Sequence, residues 1–135
     1  MIKLQKHKND VWEIKINRPE KANSLSSSML EELLSIFDKA AEARGVVLTG
    51  QGTTFSAGAD LNEVKSGLAI SPIWEKLSEK IAKLNCITIA ALNGTVAGGA
   101  FGMILACDIR ICVPKARFFY PVMKMGFLRQ PSDPK

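Results

Sequence analysis

Two stretches constrain this 135-residue chain more than anything else in it: VVLTGQGTTFSAGADLNE, residues 46–63, and ITIAALNGTVAGGAFGM, residues 87–103. Each runs from an apolar, strand-like segment through small residues into a segment with helical character. Loops ordinarily carry polar turn residues. Here Ser56, Ala57, Gly58 and Ala59 lead into Asp60, and Ala97, Gly98 and Gly99 lead into Ala100. Small residues in such turns indicate that something approaches the backbone closely.

The rest of the chain fits around these two units. Residues 2–7 and 10–16 read as strands joined by a tight KND turn, and the period of two puts Trp12, Ile14 and Ile16 on the buried side. NRPEKAN is a loop fixed by Pro19. SLSSSMLEELLSIFDKAAEA reads as a serine-capped helix with Glu31 or Glu32 completing the cap. Met29, Leu30, Leu33, Leu34, Phe37 and Ala41 form its apolar stripe, and Gly45 ends it. VVLTG, residues 46–50, reads as a strand buried on both faces. DLNE is a capping box, with Asp60 as N-cap and Glu63 reaching back. SPIWEKLSEKIAKLN is a second amphipathic helix with Pro72 in its first turn. CITIAALNG is a strand, GGAFGMILACD a helix starting near Gly98, and IRICV and ARFFYPV further strands. This order of strands and helices predicts a single α/β domain over residues 1–135 with parallel strands, ending in an irregular tail over 129–135.

Several function classes are disfavoured. No apolar run reaches the ~18 residues of a membrane span, and the N-terminus has no signal-peptide core. The cysteines Cys86, Cys107 and Cys112 lie in apolar surroundings and read as buried thiols, consistent with a cytoplasmic protein. One histidine, His7, sits on the first strand, and no Cys/His cluster exists, so no metal site is expected. The net charge of +5 comes from dispersed lysines without interleaved aromatics, which speaks against nucleic acid and leaves open an anionic small ligand or a solvated basic surface. GQGTTFSAG lacks the lysine of a P-loop, GTVAGGAFG breaks the dinucleotide-binding spacing, and no nucleophile elbow is present.

A helix N-terminus offers unpaired N–H groups and partial positive charge. Two converging N-termini can aim two donors at one oxygen, an oxyanion hole worth roughly 3–4 kcal/mol per donor. The sequence places one donor just after Gly58 and the other in the Gly98–Gly99 pair. The same glycines also suit tight strand–helix packing, and the pattern alone leaves both readings open.

INRPEKANSLSSSMLEEL, VVLTGQGTTFSAGADL, ALNGTVAGGAFGMILACDIRI and ARFFYPVMKMGFL, in this order and spacing, resemble the crotonase superfamily, the enoyl-CoA hydratase/isomerase family, from residue 10 to residue 128. The resemblance implies a spiral of ββα units that binds acyl-coenzyme A as substrate, with no resident cofactor, and stabilises a thioester enolate with two backbone N–H groups. Carried over by motif, these belong to Ala59 and Gly99. Ala57, Ala59 and Leu61 would line the coenzyme A adenine, with Lys21 and Ala22 along its pantetheine and phosphates; Lys21 also reads as a solvated loop lysine. The resemblance further implies a homo-oligomer, a trimer or hexamer for a full-length chain.

The pattern departs from the family at three points. The two glutamates that hydratases use for proton transfer fall at Gly102 and Val122, and neither residue moves a proton. Ordinary hydration is therefore not expected. Asp60, Glu63 and Asp108 are nearby acids, read as structural. Tyr120 is a candidate for the acyl pocket, either donating to substrate or packed as an aromatic. The third departure is length: the expectation is the N-terminal portion of the spiral without the helical trimerisation region, exposing Ile104, Phe118 and Phe127 and prone to association. Two function classes follow. One is an enzyme of lyase or isomerase type with non-hydratase chemistry. The other is a non-catalytic or truncated, inactive coenzyme A ester binder. A nucleotide-binding oxidoreductase would require a fingerprint the chain lacks.

Overall fold

A computed structural model describes residues 1–129 and 131. In chain order the elements are β1 (Ile2–Lys6), β2 (Val11–Ile16), α1 (Ser27–Lys39), β3 (Gly45–Gly50), β4 (Thr54–Ser56), α2 (Leu61–Val64), α3 (Ile73–Ala82), β5 (Ile87–Leu92), β6 (Thr95–Ala97), α4 (Ala100–Ala106), β7 (Ile109–Cys112) and β8 (Phe118–Phe119). One sheet has the order β1-β2-β3-β5-β7, parallel except for the β1–β2 pair, and a second has the parallel order β4-β6-β8.

The repeat is thus a long strand, a short strand and a helix, and each turn of the coil stacks on the last. β3, β5 and β7 are neighbours in one sheet, and their short successors β4, β6 and β8 are neighbours in the other. This is the ββα spiral implied by the motifs. β4 and β6 were not legible in the sequence: three residues hold too little alternation to register.

Trp12, Ile14 and Ile16 are all buried, as the period of two requires, and join Met29, Leu30, Leu33 and Phe37 of α1 in one core. Ser26 caps α1 by accepting from Met29 N–H at 3.3 Å. The expected capping glutamates do not close a box. Glu32 instead accepts from the Ile2 N–H at 3.4 Å, tying β1 to the helix. Gly45 does not end α1. The helix stops at Lys39, a tight turn follows over Ala40–Glu42, and Gly45 already pairs with Val11 and Ile87. The buried position in that turn is Ala40, while Ala41 is exposed. β3 is buried on one face only and half-buried on the other. Pro72 sits directly before α3, whose Trp74, Leu77 and Ile81 are buried.

Successive turns of the coil are stapled by two asparagine carboxamides. Asn23 is fully buried. It donates to the carbonyls of Gln51 and Thr54 at 2.9 and 2.6 Å and accepts from Arg18 N–H at 2.8 Å. From the following turn, Asn93 accepts from Gly50 N–H at 2.9 Å and donates to Gly52 and Thr54 carbonyls at 2.8 and 3.2 Å. The Gln51–Thr54 connection is therefore clamped from both sides. Beside it a methyl on Gly94 would meet the Thr53 carbonyl at 1.8 Å, so only glycine lets the two connections stack.

Other expectations need adjustment. His7 lies just beyond β1, its imidazole 3.0 Å from Glu13. ARFFYPV holds strand only at Phe118–Phe119, after which Pro121 precedes a tight turn over Val122–Met125. Cys107 is buried, and burial pushes its thiol up to about 12, but Cys86 is half-buried and Cys112 exposed on β7. Ile104 is not exposed: it is buried inside α4, whereas Phe118 is exposed and Phe127 half-buried. All four residues of β7 and both of β8 are exposed, an apolar edge of the kind parallel strands ordinarily keep covered. Of the expected irregular tail, residues 130 and 132–135 lie outside the described residues.

Candidate functional site

The two small-residue turns meet. A methyl on Gly58 would sit 2.7 Å from the Ala97 carbonyl and 3.1 Å from the Gly99 nitrogen. Gly58 and Gly98 both have positive φ, +87° and +55°, where a side chain is strained. Neither space nor backbone conformation tolerates larger residues at Gly58, and that is what brings the ends of β4 and β6 together.

Hydrogen bonds occupy several of the donors around the turns. Gly58 N–H donates to Ser56 Oγ at 3.1 Å, and Asp60 N–H to the Leu25 carbonyl at 2.9 Å. Gly98 N–H donates to the Phe119 carbonyl at 3.0 Å, and Phe101 N–H to the Gly98 carbonyl at 3.1 Å. The N–H groups of Ala59 and Gly99 have no acceptor among the described residues, and neither do those of Leu61 and Ala100, the first residues of α2 and α4. Ala59 and Gly99 are half-buried at the start of a helix, where backbone donors lack an intrahelical partner. Both line one open cleft together with Ala57, Leu61, Trp74, Tyr120 and Val122.

The remaining lining is apolar, including Val64, Met125, Phe127 and Leu128. Trp74 is buried beneath Gly99 and donates its indole N–H to the Leu68 carbonyl at 2.9 Å. Tyr120 stands edge-on to Phe101, ring centroids 5.2 Å apart. Lys21 shares an adjoining groove with Ala57, Ala59, Asp60 and Leu61. The same three residues, Ala57, Ala59 and Leu61, thus border both spaces. Ala22 lines neither, but its carbonyl accepts from Ala57 N–H at 3.0 Å, fixing the Lys21 loop to the first turn. Val122 faces the cleft. Gly102 does not line it: it is buried one turn into α4.

The acids near the site have structural partners. Asp60 caps α2 by accepting from Asn62 N–H at 2.9 Å and from Arg18 Nη1 at 2.5 Å. Glu63 does not reach back to Asp60 as a capping box requires. Its carboxylate accepts from Ser27 N–H and Oγ at 2.8 and 2.6 Å, joining α2 to the start of α1. Asp108 accepts from Thr88 N–H and Oγ1, both at 2.8 Å, stitching β7 to β5. Among the described residues no group of His, Cys, Asp or Glu is arranged to hold a metal ion. Sequence reasoning missed Trp74, Arg18 and Asn23 as parts of this region. Trp74 was legible only as a member of a helical apolar stripe, and the two loop residues carried no periodic signal.

The Asn62 N–H, and next the Arg18 guanidinium, hold the Asp60 carboxyl below the usual aspartate value. Its stabilising contribution is therefore complete above the unfolded value of about 3.9 and is lost as pH falls through the lower folded value. Asp60→Asn keeps the capping acceptor and removes the charge. Urea unfolding is expected to show the unaltered chain losing more stability than this variant between about pH 5 and about pH 2. Asp108 is also held low, but is present in both proteins and cancels. Equal losses would show that the Asp60 charge is not engaged.

Residues 6–131 match the model of the family described as enoyl-CoA hydratase/isomerase. The chain is similar to 4-chlorobenzoyl coenzyme A dehalogenase-2 of an Arthrobacter species, 33% identical over 139 residues, covering 94% of this chain and 50% of that protein. It is 38% identical over 122 residues to a probable enoyl-CoA hydratase of Mycobacterium tuberculosis, covering 86% of this chain and 49% of that one. The crystal structure of an enoyl-CoA hydratase/isomerase family member superposes with a TM-score of 0.88 at 25% identity, covering 97% of this chain and 55% of that one. The chain spans about half the length of the curated relatives it matches.

Proposed function

Because the chain belongs to the enoyl-CoA hydratase/isomerase family, we propose that it binds a coenzyme A thioester with the carbonyl oxygen between the N–H groups of Ala59 and Gly99. The observation that carries this reading is the pair of unpaired donors at two apposed glycine turns, bordering one apolar cleft. Donors of this kind stabilise the negative charge that develops when a thioester becomes an enolate or is attacked by a nucleophile. Lys21 supplies positive charge in the groove on the far side of Ala59, where the coenzyme A phosphates would lie, with Ala22 securing its loop. The apolar cleft, with Tyr120 in its wall, takes the acyl group.

Hydration is not the proposed chemistry. It needs proton transfer to and from water, and the two positions that would carry carboxylates hold Gly102 and Val122. Those neutral residues also favour a second reading, a thioester binder without turnover. The exposed apolar β7–β8 edge fits self-association. Among the described residues no helix is long and apolar enough to cross a membrane. The free thiols of Cys86, Cys107 and Cys112 support a proposed location in the reducing cytoplasm.

Thermal unfolding with and without butyryl-CoA tests the binding step. A ligand selective for the folded state at ~100 times its Kd adds about 2.7 kcal/mol, a rise of roughly 5–15 °C for a domain of this size. A cooperative transition that does not move sinks the proposal. Turnover of a panel of acyl-CoA thioesters, malonyl-type esters included, then separates enzyme from binder.

A further inference from the structure

The first donor lies in a turn with almost no side chain to hold it. Ala57, Gly58 and Ala59 offer at most a methyl group for packing, of which that of Ala59 lies against the core, so the direction of the Ala59 N–H is set largely by hydrogen bonds on either side. Gly58 is held by its carbonyl, which accepts from Leu25 N–H at 2.7 Å. Asp60 is held by its own N–H on the Leu25 carbonyl, and by its carboxylate on Asn62 N–H and on Arg18 Nη1. The same Arg18 nitrogen reaches the Ser24 carbonyl at 3.3 Å, and the Arg18 backbone N–H is fixed by Asn23 Oδ1. Both side chains of the ion pair are shielded, 16% exposed for Arg18 and 9% for Asp60.

A shielded ion pair is weak support for stability, because desolvation offsets most of its attraction and apolar replacements often do as well. What such a pair does supply is geometry. Productive donors must be held to within about 0.5 Å by a supporting layer of fixed groups. Arg18 also begins the tight Pro19–Lys21 turn that presents Lys21 to the groove. One residue thus connects the proposed phosphate contact to the proposed oxyanion donor.

We propose that Arg18 is a positioning residue for this site: through Asp60 it fixes the aim of the Ala59 N–H, and through its own turn it sets where Lys21 stands relative to that donor. The inference rests on the thioester-binding reading above.

The test reads the polarisation of a bound carbonyl, which a purely structural role would not move. Butyryl-CoA with an isotope-labelled thioester carbonyl is bound at saturation, and its C=O stretch is measured by difference infrared spectroscopy. In the unaltered chain the band is expected at lower frequency than in water. The double variant R18M/D60N keeps the capping acceptor and leaves no uncompensated charge, which favours a retained fold. With one of two donors misaimed, its shift is expected to fall to about half. Arg18→Lys restores the charge but not the simultaneous reach to Asp60 and Ser24, and falls between. Equal shifts in all three proteins overturn the positioning role while leaving the thioester reading intact. No shift in the unaltered chain overturns both. Should the double variant fail to fold, the comparison with Arg18→Lys decides alone: a smaller shift supports the proposal and an unchanged one ends it.

Discussion

Replacing Gly99 with proline is expected to lower turnover of any thioester the chain processes by about 10²–10³-fold, the loss seen when one oxyanion donor is removed. Gly99 has φ −60° and stands directly before α4, which suits the fixed φ of proline. Its N–H makes no bond within the fold among the described residues, so removing it breaks no structural contact. The confounding changes are the added Cβ, which would meet the Trp74 ring at 3.1 Å, and the ring Cδ, which restricts Gly98 before it. Gly99→Ala adds the same carbon and keeps the donor, and is therefore the control. Its expected loss is under about tenfold, because the indole edge need yield only a few tenths of an ångström. Equal losses in the two variants would mean that Gly99 acts through space and not through its N–H. If the chain binds thioesters without turning them over, the same comparison is read in the carbonyl stretch of bound butyryl-CoA.

The second large effect falls on stability. Asn23→Ala is expected to cost about 3–5 kcal/mol in urea unfolding, from unsatisfied buried polar groups and from alanine held in a left-handed conformation. The variant strands the Arg18 N–H and the Gln51 carbonyl and leaves Thr54 with only its weaker partner, Asn93. Asn23 has φ 54°, a region asparagine tolerates better than alanine. Asn23→Asp separates the contributions: it keeps the acceptor for Arg18 and loses both donors. It should be nearly as damaging, since a carboxylate would then face two carbonyl oxygens. A near-neutral Asn23→Asp would sink the view that this amide clamps the coil.

Much of this architecture was written in local pattern. The alternation in β2, the serine cap of α1 and the proline before α3 all appeared where the chain predicts them, because each is decided by neighbours in sequence. The unpaired donors were also half legible: small residues after a strand point to close approach, and the glycines at 58 and 98–99 do approach closely. What the chain could not display is decided across the coil. Glu63 has two legitimate local partners in a capping box, yet bonds Ser27 instead, because α1 happens to begin beside it. Arg18 and Asn23 sit in an aperiodic loop, and their partners at residues 51, 54 and 60 are set by stacking alone. Cys112 and Ile104 were misplaced for the same reason. Composition marks both as apolar, but which of them faces the core depends on whether another turn of chain lies against it.

The stacked geometry also has a kinetic side. β2 pairs with β3 and β3 with β5, and every such pairing must close a segment containing at least one helix before it gains any contact. Loop closure is an entropic cost met in advance, and parallel pairing of distant segments slows folding into the millisecond-to-second range. A coil built this way also exchanges contacts mainly between adjacent turns. Amide protons should therefore be released in layers, first from β7, whose outer edge has no partner strand among the described residues, and last from β2 and β3, each flanked by strands on both sides.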